Sequence, residues 1–158
     1  GLGGYAGHSH KYKKAGGSGY LFRAATVQDF SAVTGACLLV RASVWDEVKG
    51  LDEKFAVAFN DVDFCLRVRD KGYRIVWTPY AQLTHYESKS RGGDEKDPVK
   101  AARFAAEQQR IYDVHGKADI LDDPYYNPSL THDREDFSES GDLRNLKEGK
   151  VIVRWRNA

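Results

Sequence analysis

Residues 59–72 read Phe59-Asn60-Asp61-Val62-Asp63-Phe64-Cys65-Leu66-Arg67-Val68-Arg69-Asp70-Lys71-Gly72, and this stretch decides the fold class. Asp61 reads as an N-cap and Asp63 as an acid in the first turn. Val62, Cys65 and Leu66 fall at i, i+3 and i+4 as an inner stripe, and Gly72 is a stop. Directly after it, Tyr73, Ile75 and Trp77 alternate with Arg74 and Val76, which predicts a strand over 73–78 that Pro79 ends. A capped helix running straight into a strand is the repeating joint of an α/β fold.

Upstream, Phe30 to Val40 (FSAVTGACLLV) is apolar and β-branched almost throughout, which predicts a strand covered on both faces. Ser43 can cap a short helix over 44–49, with Gly50 in the left-handed position beyond it. Downstream, Ala81 to His85 reads as a second short strand. Asp97 caps a longer helix that has Pro98 at its first position and ends at Gly116. Three zones follow. Residues 1–29 form a glycine-rich loop region, with seven of the fifteen glycines in the first twenty positions. Residues 30–116 form an α/β region. Residues 117–158 form an acidic wrapping tail that can end in a strand, since 119–148 hold nine acids against three bases.

The 158 residues suffice for one domain burying roughly 70% of its unfolded surface. With 41% apolar and 30% charged residues and a mean hydropathy of −0.60, a membrane-spanning protein is excluded and wholesale disorder is not expected. Twenty-four basic against twenty-three acidic side chains leave +1, too little for a field that would drive nucleic-acid binding. Cys37 and Cys65 are expected as reduced core residues. No secretory signal opens the chain, so a cytoplasmic setting, extending to the inner face of the membrane, is expected. The absence of methionine suggests a piece of something longer.

Two places can carry chemistry. At the entrance of the 59–72 helix, Asn60, Asp61 and Asp63 stand where free amides and the helix dipole favour an ionised carboxylate. A simple cap accounts for this, but a carboxylate fixed at the lip of a cleft can also take a proton from a hydroxyl nucleophile. The second place is His85 with Ser88, Lys89, Ser90 and Arg91: an imidazole suited to a divalent metal beside hydroxyls and cations suited to phosphate. A solvated loop explains the same residues. His8 and His10 carry less.

Five segments in one order resemble the C-terminal half of family 2 glycosyltransferases of bacterial surface-polysaccharide and O-antigen assembly. They are Thr34-Gly35-Ala36-Cys37-Leu38-Leu39-Val40, Gly50-Leu51-Asp52-Glu53-Lys54-Phe55, Asn60-Asp61-Val62-Asp63-Phe64-Cys65-Leu66-Arg67, Lys71-Gly72-Tyr73-Arg74-Ile75-Val76-Trp77 and His85-Tyr86-Glu87-Ser88. Asp123-Pro124-Tyr125-Tyr126-Asn127-Pro128 follows as in those relatives. The resemblance implies a partial GT-A fold, Rossmann-like, with a mixed sheet and flanking helices but without the N-terminal nucleotide-binding half. It implies Asp61 as the base of an inverting transfer from a nucleotide-diphosphate sugar donor to a saccharide acceptor. Thr34, Gly35, Asn60 and Asp63 are implied at the acceptor. Ser88, Lys89, Ser90 and Arg91 are implied at the donor diphosphate, and His85 at a divalent cation, Mg or Mn. The sequence departs from the family at Asn60, where an acid is common, and at Tyr86, where a second histidine is common. It also lacks the strand-terminal D-x-D of the N-terminal half, so the isolated chain is expected to be inactive.

The alternative is a non-catalytic saccharide-binding or self-association module using Tyr5, Tyr12, Tyr20, Tyr125 and Tyr126. A metal hydrolase built on His8, His10, Asp61, Asp63 and His85 ranks last, because the histidines lack a shared ligating spacing. An open sheet edge leads us to expect homodimers.

Overall fold

The computed structural model describes residues 6–10, 16–84, 97–117, 120 and 123–140. They divide into two compact units, one of residues 26–117 and one in which residues 1–25 join 118–158. In the first, the elements run β1 (Gln28–Phe30), α1 (Ala42–Glu47), α2 (Asn60–Asp70), β2 (Ile75–Trp77) and α3 (Pro98–His115).

Helix α2 forms where it is expected, but it starts differently. Its N-cap is Phe59, held in the left-handed region at φ 64°, so Asp61 lies in the first turn rather than at the cap. Its buried face is Asp63, Phe64, Cys65 and Val68, with Val62 and Leu66 only half-buried. The helix is turned from the expected stripe because the Asp63 carboxylate is drawn inward to a guanidinium and an imidazole. Oδ2 accepts from Arg67 Nε at 2.9 Å and lies 2.7 Å from Arg67 Nη2, and Oδ1 lies 2.8 Å from His115 Nε2 of α3. Arg67 also donates from Nη1 to the Val48 carbonyl (2.5 Å) and from Nη2 to the Gly50 carbonyl (2.9 Å). It thereby satisfies carbonyls left open beyond the end of α1.

Phe64, Cys65 and Val68 join Val44, Val48 and Ile75 in the core of this unit, with Ala32, Val33, Leu38, Val40 and Tyr73 packed against it. Trp45 lies 5.3 Å from Phe64, ring to ring. Gly50 is required twice over. It sits at φ 65°, and a Cβ there would stand 2.9 Å from Trp45 Cζ2. α1 itself starts at Ala42 behind Arg41, which makes no side-chain cap, so Ser43 is not the cap the sequence suggests.

Three strand expectations are corrected. Residues 31–40 form no ladder and contain a single 3-10 turn, Gly35–Cys37. A run like this needs strands beside it to take its backbone hydrogen bonds and layers on both faces of the sheet to cover its side chains, and among the described residues only β1 and β2 pair, antiparallel, with Asp29 opposite Val76. Leu39 is accordingly 98% exposed, and Cys37 is exposed rather than in the core. The anticipated mixed sheet is therefore a two-stranded ribbon among the described residues, braced by Arg74 on Asp29 (2.8 and 3.0 Å). The strand expected at 73–78 narrows to Ile75–Trp77, and residues 81–84 are exposed and unpaired with any strand. α3 matches expectation. Asp97 accepts from the Val99 and Lys100 amides, Pro98 opens the helix and Gly116 closes it at φ 78°.

In the other unit Tyr20 stacks on Phe137 at 4.9 Å, and Tyr126 is buried with its hydroxyl donating to the Thr131 carbonyl at 2.7 Å. Leu130 bridges to Glu139. Tyr20 and Tyr126 are thus parts of a small core rather than free stacking surfaces; Tyr5 and Tyr12 lie outside the described residues.

Two measurements follow. Phe64→Ala empties a fully buried ring site and should cost about 3–5 kcal/mol in chemical denaturation. For Asp63, burial works against ionisation, but the hydrogen bonds and charge of His115 and Arg67 outweigh it and hold the carboxyl below the usual carboxylate range. A depressed folded-state value stabilises above the unfolded value and is lost as pH falls through the folded one. The stability difference between wild type and Asp63→Asn should therefore be largest above about pH 4 and shrink on further acidification; a pH-independent difference would contradict it.

Candidate active site

The entrance of α2 is set by the loop before it, Phe55 to Phe59. Its backbone amides have no helix of their own to bond to, and a carboxylate from elsewhere takes them. Glu107 of α3, only 5% exposed, accepts from the Ala56 amide at 3.1 Å, the Val57 amide at 3.3 Å and the Ala58 amide at 2.6 Å. Three successive amides converging on one anion form a backbone nest. Bonds of this charge-assisted kind contribute about 1.5–3 kcal/mol each, enough to offset the roughly 1–2 kcal/mol that a left-handed non-glycine residue costs. Phe59 is that residue, and its ring rests 5.3 Å from Phe104, one turn before Glu107 on α3. One turn further on, Arg110 pairs with Asp52 at 2.5 Å and lies over the Phe55 ring. That hydrogen bond holds the Asp52 carboxyl below its usual range.

Asp61 emerges from this frame half-buried. Its Oδ1 accepts from the Val62 amide at 2.9 Å, and its Oδ2 accepts from the Gly35 amide at 2.8 Å. Asn60 turns its Oδ1 back to the Asp61 amide, also at 2.8 Å. The structure thus brings together Gly35, Asn60 and Asp61 from the predicted set. Thr34 stands beside them, its hydroxyl accepting from the Ala36 amide. A carboxylate has about four acceptor positions, so two amides leave each Asp61 oxygen able to receive a further proton donor. A cavity of about 470 Å³ lined by Val33, Leu38, Val40, Val44, Phe64 and Ile75 has other walls, and Asp61 is not among them.

Asp63 departs from its predicted place. It is 1% exposed with both oxygens engaged by Arg67 and His115, so it anchors α2 and cannot reach an acceptor. His85, Ser88, Lys89, Ser90 and Arg91 lie outside the described residues. Among the described residues, no three His, Cys, Asp or Glu side chains are grouped to hold a metal ion. His10 receives the Tyr20 amide at 3.0 Å, and the His8 amide donates to Glu135 at 3.2 Å. No helix among the described residues is long and apolar enough to cross a membrane.

Glu107, Arg110 and His115 are absent from the sequence-based site. A signal for two of them existed: Phe104, Glu107, Ile111 and His115 recur at the spacing of one helix face, and charged or titratable groups on an apolar stripe mark polar contacts to another element. Asp63 and Arg67 at i, i+4 offered a similar cue.

Comparison with known proteins follows the same stretch of chain. No solved structure is matched. The uncharacterized protein y4gI of Sinorhizobium fredii is 47% identical over 87% of this chain and 15% of its own length. The O-antigen biosynthesis protein RfbC of Myxococcus xanthus is 35% identical over 66% of this chain and 8% of its own. The N-acetylglucosaminyl-diphospho-decaprenol L-rhamnosyltransferase of Mycobacterium tuberculosis is 35% identical over 51% of this chain and 24% of its own. The chain therefore spans less than a quarter of the length of these relatives. Residues 9–110, which contain Gly35, Asp61 and the Glu107 nest, match the model of glycosyl transferase family group 2, and the chain belongs to that family.

Proposed function

We propose that this chain is the acceptor and catalytic-base portion of an inverting glycosyltransferase that builds a surface polysaccharide. The single observation that carries the reading is the Asp61 carboxylate. It is held at the entrance of α2 by the Gly35 amide at 2.8 Å, inside the segment whose sequence is similar to the family's acceptor-lining strand. The names of two relatives, an O-antigen biosynthesis protein and a rhamnosyltransferase, support the class of product. The short share of each relative that the chain covers supports a donor-binding half carried by further polypeptide.

The chemistry runs as one displacement. A sugar hydroxyl hydrogen-bonds to a free acceptor position of Asp61, and its oxygen forms the new bond at the anomeric carbon of the donor. The proton passes to Asp61 while the bond from that carbon to the diphosphate breaks and the diphosphate carries off the electron pair. Asp61 has to be placed within hydrogen-bond reach of the hydroxyl, and two amides aimed at its oxygens fix the carboxylate plane for that task. Asn60 and Thr34 complete the acceptor side. His85 for a divalent cation, with Ser88, Lys89, Ser90 and Arg91 for the diphosphate, belong to the proposal through the family likeness.

In the full-length protein, Asp61→Asn keeps the size of the side chain and one acceptor oxygen for the two amides, sets an NH₂ against the other amide donor and removes the proton acceptor. Transfer should fall by about 10²–10⁴-fold, while calorimetric titration with uridine and deoxythymidine diphosphate-sugars should give unchanged donor affinity. Retained turnover would remove Asp61 from the role. A Cβ at Gly35 would sit 3.4 Å from Asp61 Cβ, so Gly35→Ala should be tolerated, whereas Gly35→Leu should lower kcat/KM for the acceptor and leave the donor KM unmoved.

A further inference from the structure

We infer that Glu107 is a positioning residue for Asp61, a reading that rests on Asp61 being the proton acceptor. The path between them is short and continuous. Glu107 gathers the amides of Ala56, Val57 and Ala58. The next residue, Phe59, turns left-handed at φ 64°. The Phe59 carbonyl then accepts the Asp63 amide at 2.8 Å, which closes the first helical bond around Asp61. Asp61 in turn reaches the Gly35 amide. A change in the curvature of 56–58 therefore rotates the first turn of α2 and swings the carboxylate away from Gly35.

This is more than general stabilisation, because α2 is anchored independently of Glu107. Asp63 is held by Arg67 and His115, and Phe64, Cys65 and Val68 are in the core. Glu107 touches none of these through its carboxylate; its hydrogen bonds go to the loop that leads into Asp61. Removing them leaves the body of the helix docked and releases its entrance. The spacing also argues for purpose, since the nest is filled from 49 to 51 positions away rather than by a neighbouring cap residue.

The test uses Glu107→Gln, which keeps the volume and one carbonyl oxygen but sets an NH₂ against an amide donor. In ¹⁵N-resolved spectra of the chain, the Gly35 amide should move from its wild-type position toward that seen in Asp61→Asn, while the Val68 amide stays in place. In the full-length protein kcat should fall by about 10²-fold, the loss expected from misplacing a reacting group by about 1 Å. Donor affinity should hold, and the change should add no further loss in an Asp61→Asn background. An unmoved Gly35 amide, or an equal loss in that background, would overturn the inference. If Asp61→Asn alone retains turnover, the base assignment fails separately, and the Gly35 amide still decides whether Glu107 sets Asp61. Should Glu107→Gln lose its fold, Glu107→Asp, which withdraws the carboxylate by one methylene, is read by the same Gly35 criterion.

Discussion

The buried Asp63 carboxylate is the constraint on which the rest of this fold depends. A carboxylate at 1% exposure is tolerated only when its charge is matched and its oxygens are filled. Here the matching groups come from two directions. Arg67 reaches it from the next turn of α2 and also grips the Val48 and Gly50 carbonyls, and His115 reaches it from α3. One buried anion thereby sets the rotation of α2, fastens the end of α1 and fixes where α3 lies. Replacing the triad with apolar side chains could match its stability, but it would lose this orientation, since apolar contacts do not single out one rotation of the helix.

Helix α3 repeats the device along its length. Phe104, Glu107, Arg110 and His115 each hold a different part of the segment from Asp52 to Asp63: the Phe59 ring, the 56–58 amides, the Asp52 carboxylate and the Asp63 carboxylate. Only Ile111, among these inner positions, is a plain apolar core residue. The result is a loop whose shape is dictated by polar contacts with defined directions, and that loop delivers Asp61 to Gly35. The position of Asp61 is thus set by a helix whose polar side chains bond to the loop before it and not to Asp61 itself.

Much of this was legible in the sequence where the determinants are local. The Asp97 cap with Pro98 behind it, the Gly72 and Gly116 stops and the placement of Asp61 at a helix entrance all depend on residues within a few positions of one another. The order of motifs carried the family. What could not be read depends on distant partners. FSAVTGACLLV has the composition of a buried strand, but composition does not state whether strands lie on either side, and Leu39 stands in the open. Asp63 reads as a first-turn surface acid because nothing nearby announces His115, fifty-two positions on. Asp61 reads as a cap because a phenylalanine in the left-handed region is a rare way to start a helix; it is sustained here by Glu107 and Phe104.

The separation in sequence between the two sides of this clamp shapes how the protein acquires its form. The polar links from α3 to the 52–63 segment span 49 to 58 positions, and each closes a long loop before it gives any return. The contacts of α1, α2 and Ile75 are also distant, but they converge on an apolar nucleus that can collapse without directional fit. The turn that presents Asp61 therefore takes its shape only once α3 is in place, and whatever loosens α3 loosens that turn with it.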